Sequence, residues 1–297
     1  KPTNMNTFRL LVLSLAIISS YHAFGQKDRN VIYKVGVGEL IYTPPHEGNS
    51  GTAVKVLKDV AEVLLNGQTT KQQPQYAEAV RASIVNGLSK VILFRLSDGV
   101  IPQEELSNNI PTLYVDGTIV NISTVSKTET NKDSKGNKTT NTSYRGIISV
   151  TVNLKDSYNG TLINSQTFSI YDSDLYWMAS GEKAINNALE RLTSKVANFY
   201  NQMFPLRASI VEKGEVKKNK QKGVYIDLGA PDGVYKGQQF DVFLVKTIAG
   251  KEAKTIIGRL KIEEVEGDEI SLCKVTKGAD MIKTALDENH VLLITSR

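Results

Sequence analysis

The chain has 297 residues, 40% of them hydrophobic and 23% charged, with a formal net charge of +5. That length suits about two globular domains. The mild positive excess is spread among acidic neighbours, so a nucleic-acid footprint is not indicated and the charge reads as surface solvation. With one cysteine, Cys273, no disulfide forms within the chain, and a core of this size needs none.

The first segment, "MNTFRLLVLSLAIISSYHAFGQ" from Met5, reads as an export signal. Arg9 gives a positive start and Leu10 to Ile18 an apolar run. Ala23-Phe24-Gly25 is a small-x-small cleavage site. The run is short of the roughly 20 apolar residues of a membrane span. Residues 1–4 precede Met5 and read as an upstream extension. Cleavage after Gly25 removes Lys1 and Arg9, which takes the charge from +5 to +3. No cysteine stands where lipid attachment requires one. The expectation is a periplasmic protein with no membrane span in its mature form.

"NVIYKVGVGELIY" reads as a strand, and "TPPHEGNSG" as a polar loop. "TAVKVLKDVAEVLLNG", with Val54, Leu57, Val60, Ala61 and Leu64 at helical spacing, predicts a helix closed by Gly67. "YAEAVRASIVNGLSK" predicts a second, with Ala79, Val80, Ser83, Ile84 and Leu88 on one side. "VILFRL" is a buried strand and "PQEELSNN" a short helix. "PTLYVDGTIVNISTV" and "YRGIISVTVNLKDS" are strands around a polar hairpin, Ser126 to Thr142, centred on Gly136 and expected to be solvated and mobile. Asn159-Gly160 turns the chain into "LINSQTFSIY". A long helix follows, striped by Ala184, Ala188, Leu192, Val196, Phe199 and Met203 and ended by Pro205. Beyond it, six short strands at regular spacing predict a small all-β barrel or sandwich. "KVTKGADMIKTALDENH" reads there as a solvated connection. The fold class is α+β: an α/β sandwich over residues 26–205, after the leader of residues 1–25, and a β-barrel over 206–297.

Chemistry is sparse. "VYIDLGAPDGVYKGQQFDVF" carries Gly229, Gly233 and Gly237, but a strand follows its turn where a phosphate loop requires a helix, so these glycines read as structural turns. "VGVGEL" lacks a third glycine and reads as a strand passing close to a neighbour. His46 and His290 have no partner at metal-ligand spacing. No nucleophile elbow is present. Glu263 and Glu264 in a strand point to opposite faces. No catalytic, cofactor or metal site is expected. Tyr171, Tyr176 and Trp177 form an aromatic cluster before the long helix. Packing of the helix onto the sheet competes there with binding of a glycan or protein partner. Lys132, Lys135 and Lys138 on the polar hairpin complete a candidate partner-binding set.

"VDGTIVNIS" and "YRGIISVTVNLKDSYNGTLINSQTF", followed by the A-x3-AL helix from Ala184, resemble the curli secretion-channel (CsgG-like) family. They also resemble the α/β modules of lipoprotein activators of penicillin-binding proteins and of the TolB amino-terminal domain. Gly117, Thr118, Ile119, Gly160 and Ser165 match that skeleton, over roughly residues 31–203. Asp227, Gly229, Gly233, Val234, Gly237, Phe240 and Val242 resemble the SH3-like barrel of flagellar assembly protein T. The resemblance implies a non-enzymatic scaffold or adaptor in assembly of an envelope or surface structure, associated with the outer membrane. It also implies envelope-protein partners and the option of a homo-oligomer. The alternative is a secretion-channel subunit. Its lipid-facing hairpins would need apolar alternation, which "SKTETNKDSKGNKTTNTS" lacks, and each lysine at the bilayer midplane would cost about 2–4 kcal/mol. An enzyme acting on cell-wall glycan is a distant third.

Overall fold

The computed structural model describes residues 30–43, 69–102, 110–171 and 176–297. The leader, the loop holding His46, the helix expected over 52–67, residues 103–109 of the short helix and residues 172–175 lie outside them. The chain divides into two compact units, one spanning Ile32–Phe204 and the other Pro205–Arg297 with Asn30 and Val31.

The α/β unit is built on one mixed sheet. Its strands are β1 (Tyr33–Tyr42), β2 (Thr69–Gln72), β3 (Phe94–Asp98), β4 (Thr112–Lys132), β5 (Lys138–Asp156) and β6 (Leu162–Ile170). The order is β3-β1-β4-β5-β6, with β2 also on β4. β1 runs parallel to both β3 and β4, and the other pairs are antiparallel. Helices α1 (Ala77–Leu88) and α2 (Gly181–Met203) supply the second layer.

Sequence periodicity explains which faces meet. α1 buries Val80, Ser83, Ile84, Gly87 and Leu88, and α2 buries Ala184, Ile185, Ala188, Leu192, Val196, Ala197 and Tyr200. The sheet answers with Val115, Ile119, Ile122, Ile148, Val150, Val152 and Leu154. Ile119 and Ile122 are both buried despite their odd spacing, because a bulge between Ile119 and Asn121 absorbs one residue. Two glycines set the helix distance. A Cβ on Gly146 would lie 2.6 Å from the Ala184 carbonyl oxygen, and one on Gly87 2.7 Å from Val196 Cβ. Gly36 and Gly38 of β1 are close approaches too, to the Gly99 carbonyl and the Tyr114 ring. Ser180 caps α2, its hydroxyl accepting from the Lys183 N–H at 3.3 Å. Tyr33, Phe94, Phe168, Phe199, Tyr200 and Phe204 close one end in edge-on and tilted contacts. Burial raises the Tyr200 hydroxyl far above its ordinary pKa.

The second unit is a strongly curled, nearly closed antiparallel sheet. Its strands are β7 (Arg207–Ala208), β8 (Ile210–Lys213), β11 (Gly223–Ile226), β12 (Gln239–Ile248), β13 (Lys251–Val265), β14 (Ser271–Lys277) and β15 (Leu292–Ser296), in the order β7-β15-β12-β13-β14-β11-β8. The two ends of that order, β7 and β8, are consecutive in sequence, so the sheet must turn back on itself. β9 (Val216–Lys217) and β10 (Lys220–Gln221) form a separate short hairpin. Val224, Ile226, Phe240, Val242, Leu260, Ile262, Cys273 and Ile294 fill the interior. Cys273 is buried as expected, and burial pushes its thiol up to about 12.

One expectation is corrected here. The stretch after Lys277 is not a solvated connection: it forms helix α3 (Ala279–Asp287), which buries Ile282 and Ala285. Its charges sit on the outer side, where Asp287 pairs with Lys213 and Lys283 at 2.8 and 2.5 Å. The helix starts at Gly278, whose φ of 74° is left-handed and which lies against the Ile257 carbonyl.

Candidate functional site

The most distinctive feature of the α/β unit is the length of β4 and β5, 21 and 19 residues. They pair from Leu113↔Asp156 to Lys132↔Lys138 with one bulge, after Ile119, whereas β2 and β6 flank them only at their inner portions. Residues 128–142 are all exposed. From Lys127 to Lys132 the overhang spans five steps, roughly 17 Å at strand rise. The polar stretch, expected to be solvated, is exposed and forms a regular two-stranded ladder. β-Branched threonines explain it: Thr128 meets Thr142 at 3.0 Å and Thr130 meets Thr140 at 3.3 Å, on one face. The tip is tied by Asp133, whose carboxylate accepts from the N–H groups of Lys135 and Asn137 at 2.9 and 2.8 Å and from Asn137 Nδ2 at 2.9 Å. These bonds, led by the Asn137 side chain, hold its pKa below the usual carboxylate range.

At the root of the overhang the sequence-derived aromatic cluster finds its partners. Trp177 lies beside β5 because Met178 and Tyr144 exchange two backbone hydrogen bonds of 2.8 Å. The Lys127 ammonium stands 4.7 Å from the indole centroid and the Arg145 guanidinium 4.3 Å. Partial burial lowers the Arg145 pKa from its ordinary value. Lys127 is also bonded to Glu129 at 2.8 Å. Tyr176, next to Trp177 in the chain, is 72% exposed, and Tyr171, just past the end of β6, is 42% exposed.

The six candidate residues therefore fall in two places. Tyr171, Tyr176 and Trp177 sit at the root, while Lys132 and Lys138 pair across the ladder at the tip, with Lys135 in the turn. Lys127 and Arg145, the cations that meet Trp177, were not singled out from sequence. Counting pairs back from the turn places Val125 opposite Arg145 and Lys127 opposite Ser143, so the two cations are diagonal neighbours on one face.

A second concavity, an open cleft of roughly 560 Å³, lies among Gly38, Glu39, Gly99, Tyr114, Asp116 and Asn153. One of its two carboxylates, Asp116, is already engaged. Asp116 pairs with Lys155 and accepts from Asn153 Nδ2 at 3.0 Å, and Ser165 donates to Asn153 at 2.7 Å. Among the described residues no group of three or more His, Cys, Asp or Glu is placed to hold a metal ion. His290 pairs with Glu288 at 2.8 Å. In the barrel unit Gly233 ends a short 3-10 turn at φ 71° and Gly237 has φ 97°. Gly229 is extended, and a Cβ there would lie 2.1 Å from the Asp268 carbonyl carbon. The first two serve as left-handed turn positions and the third as a close backbone approach. Glu263 and Glu264 are both exposed, because a bulge follows Ile262.

No family model matches the chain, and no curated protein does. Solved structures show partial likeness. A neuraminyllactose-binding hemagglutinin homolog from Helicobacter pylori is 13% identical, with 61% of this chain and 90% of that one covered at a TM-score of 0.32. The PelC dodecamer from Paraburkholderia phytofirmans is 16% identical, with 55% and 84% covered at 0.28. A lipoprotein from Neisseria meningitidis is 15% identical, with 56% and 99% covered at 0.18.

Proposed function

We propose that this chain is a non-catalytic, exported scaffold or adaptor, and that its β4–β5 hairpin docks a protein partner during assembly of a cell-envelope or surface structure. The carrying observation is the overhang itself. Among the described residues, two strands leave the sheet paired only with each other and present threonine, asparagine and lysine to solvent around a hydrogen-bonded tip. An isolated hairpin is marginal in water. This one is held by its continuation into the core through Ile147, Ile148 and Val150, and by Trp177 at its root. Its exposed positions form no alternating apolar face, which favours a protein partner over a lipid-facing strand pair. Among the described residues no helix is long and apolar enough to cross a membrane. The leader read in the sequence and the CsgG-like resemblance of the strands support the envelope setting.

A photo-crosslinking residue at Thr130 and another at Tyr176, introduced in cells, test this. Both should join the chain to the same envelope protein. A variant with residues 128–142 replaced by a two-residue turn should keep the Trp177 emission of the folded unit and lose that partner. A complex that survives the shortened hairpin would refute the reading. Crosslinks between copies of the chain alone would replace it with self-assembly.

A further inference from the structure

The barrel unit carries a second free arm, built differently from the first. β12 pairs with β15 only as far as Leu244, and β13 pairs with β14 only from Arg259 onward. Between these limits Lys246–Ile248 and Lys251–Ala253 pair with each other and, among the described residues, with no third strand. The tip is Ile248-Ala249-Gly250-Lys251. Ile248 is 62% exposed, and it shares a face with Lys246, Lys251 and Ala253. Neither Lys246 nor Lys251 makes an ion pair among the described residues.

The turn residues point the same way. Ala249 has φ 51° and Gly250 φ 76°, a left-handed pair for which Asn-Gly is the unstrained choice. An alanine held there trades turn propensity for an apolar tip, and such strain tends to persist where a site needs it. The other lysine-rich turn, Lys217 to Lys220, lacks this combination: its tip is Lys218-Asn219, and Lys220 is bound to Asp280 at 3.3 Å.

We propose that the tip of the β12–β13 arm seats on an anionic lipid surface, with Ile248 and Ala249 entering the headgroup layer and Lys246 and Lys251 meeting lipid phosphates. An apolar point rimmed by unpaired ammonium groups is complementary to such an interface. It gains from apolar burial and from the negative surface potential together. The proposal does not depend on the partner assigned to the β4–β5 hairpin.

The test is co-sedimentation of the chain from Gln26 onward, which contains every described residue, with vesicles of phosphatidylcholine and phosphatidylglycerol or of phosphatidylcholine alone. Binding is expected on the anionic vesicles and should weaken with salt. Lys246→Gln and Lys251→Gln should each lower the partition about fivefold, and Ile248→Asp should abolish it at an unchanged melting temperature. Ile248→Thr, which keeps the strand-favouring branch, should also weaken binding and covers the case in which the aspartate variant misfolds. The triple variant K132Q/K135Q/K138Q, at the other hairpin, should bind as the parent does. A parent protein that stays in the supernatant overturns the proposal, even if the arm retains a protein partner. So does binding that is indifferent to Ile248, or that is lost in the triple variant.

Discussion

Gly278→Ala separates two costs of adding a Cβ in this barrel. The position has φ 74°, so any L-residue there pays the left-handed penalty of about 1–2 kcal/mol. A Cβ would also lie 1.9 Å from the Ile257 carbonyl oxygen and 2.8 Å from Gly258 Cα. Both are backbone atoms that move only if β13 moves. Overpacking of that kind costs about 1–3 kcal/mol more. Gly250→Ala is the matched control, since its φ is 76° and nothing lies within 4 Å of the added Cβ. The assay is labelling of Cys273, the chain's one cysteine, which is buried in this unit and reacts only when the barrel opens. Its thiol, pushed up to about 12, adds to that protection. In the regime where labelling follows the open population, about 1.4 kcal/mol is a factor of ten. Gly250→Ala should then speed labelling about five- to thirtyfold, and Gly278→Ala by about thirtyfold or more. Equal acceleration in the two variants would refute the close-approach argument and leave only the dihedral cost.

Two further outcomes follow from the same packing. Gly146→Ala places a Cβ 2.6 Å from the Ala184 carbonyl, so α2 must lift from the sheet, and melting followed by Trp177 emission should fall by several degrees; an unchanged melt would mean the helix rides higher than described. Hydrogen bonds from Lys213 and then Lys283 hold Asp287 down to about 2 from 3.8, so its ion pair stabilises the barrel above the unfolded pKa and is lost as pH falls through the folded one. The deficit of Asp287→Asn in melting temperature should therefore be present at neutral pH and close between about pH 4 and pH 2, and a deficit that persists or grows at low pH would contradict the pairing.

Long periodic segments were legible because burial there follows a single period. The stripe of α2 from Ala184 to Val196 and the side of α1 holding Val80, Ser83, Ile84 and Leu88 need only 3.6-residue counting, and the structure buries them, while Ala79, Phe199 and Met203, expected on the same faces, are half-buried. Helix α3 was not legible. Nine residues with two buried positions leave a weak signal, and Lys277, Lys283, Asp287 and Glu288 make the stretch read as solvent-facing. Its start depends on Gly278 meeting a carbonyl some twenty residues earlier in the chain, which no local rule contains. The bulge in β4 belongs to the same class. Ile119 and Ile122 share a face only because β4 carries one extra residue, Val120, against consecutive residues of β5, and pairing is decided across the sheet.

The candidate site divides along the same line. That Trp177 and its tyrosines matter could be read from composition, because three aromatics before a helix are a large apolar investment in a polar stretch. What they touch could not be read, since Lys127 and Arg145 are eighteen residues apart and become neighbours only through the register of a hairpin whose strands look like a loop. That register follows from the tip: once Asp133 gathers the N–H groups of Lys135 and Asn137, Lys132 must face Lys138, and every pair down to Val125 and Arg145 is determined. The threonines then stand opposite each other instead of sliding, because a slip by one residue would move them to the other face and break the contacts at 3.0 and 3.3 Å. One aspartate at the end of a polar segment thereby positions two cations over an indole at the other end of it. Asp133 is thus the residue whose loss should disturb the root without touching it.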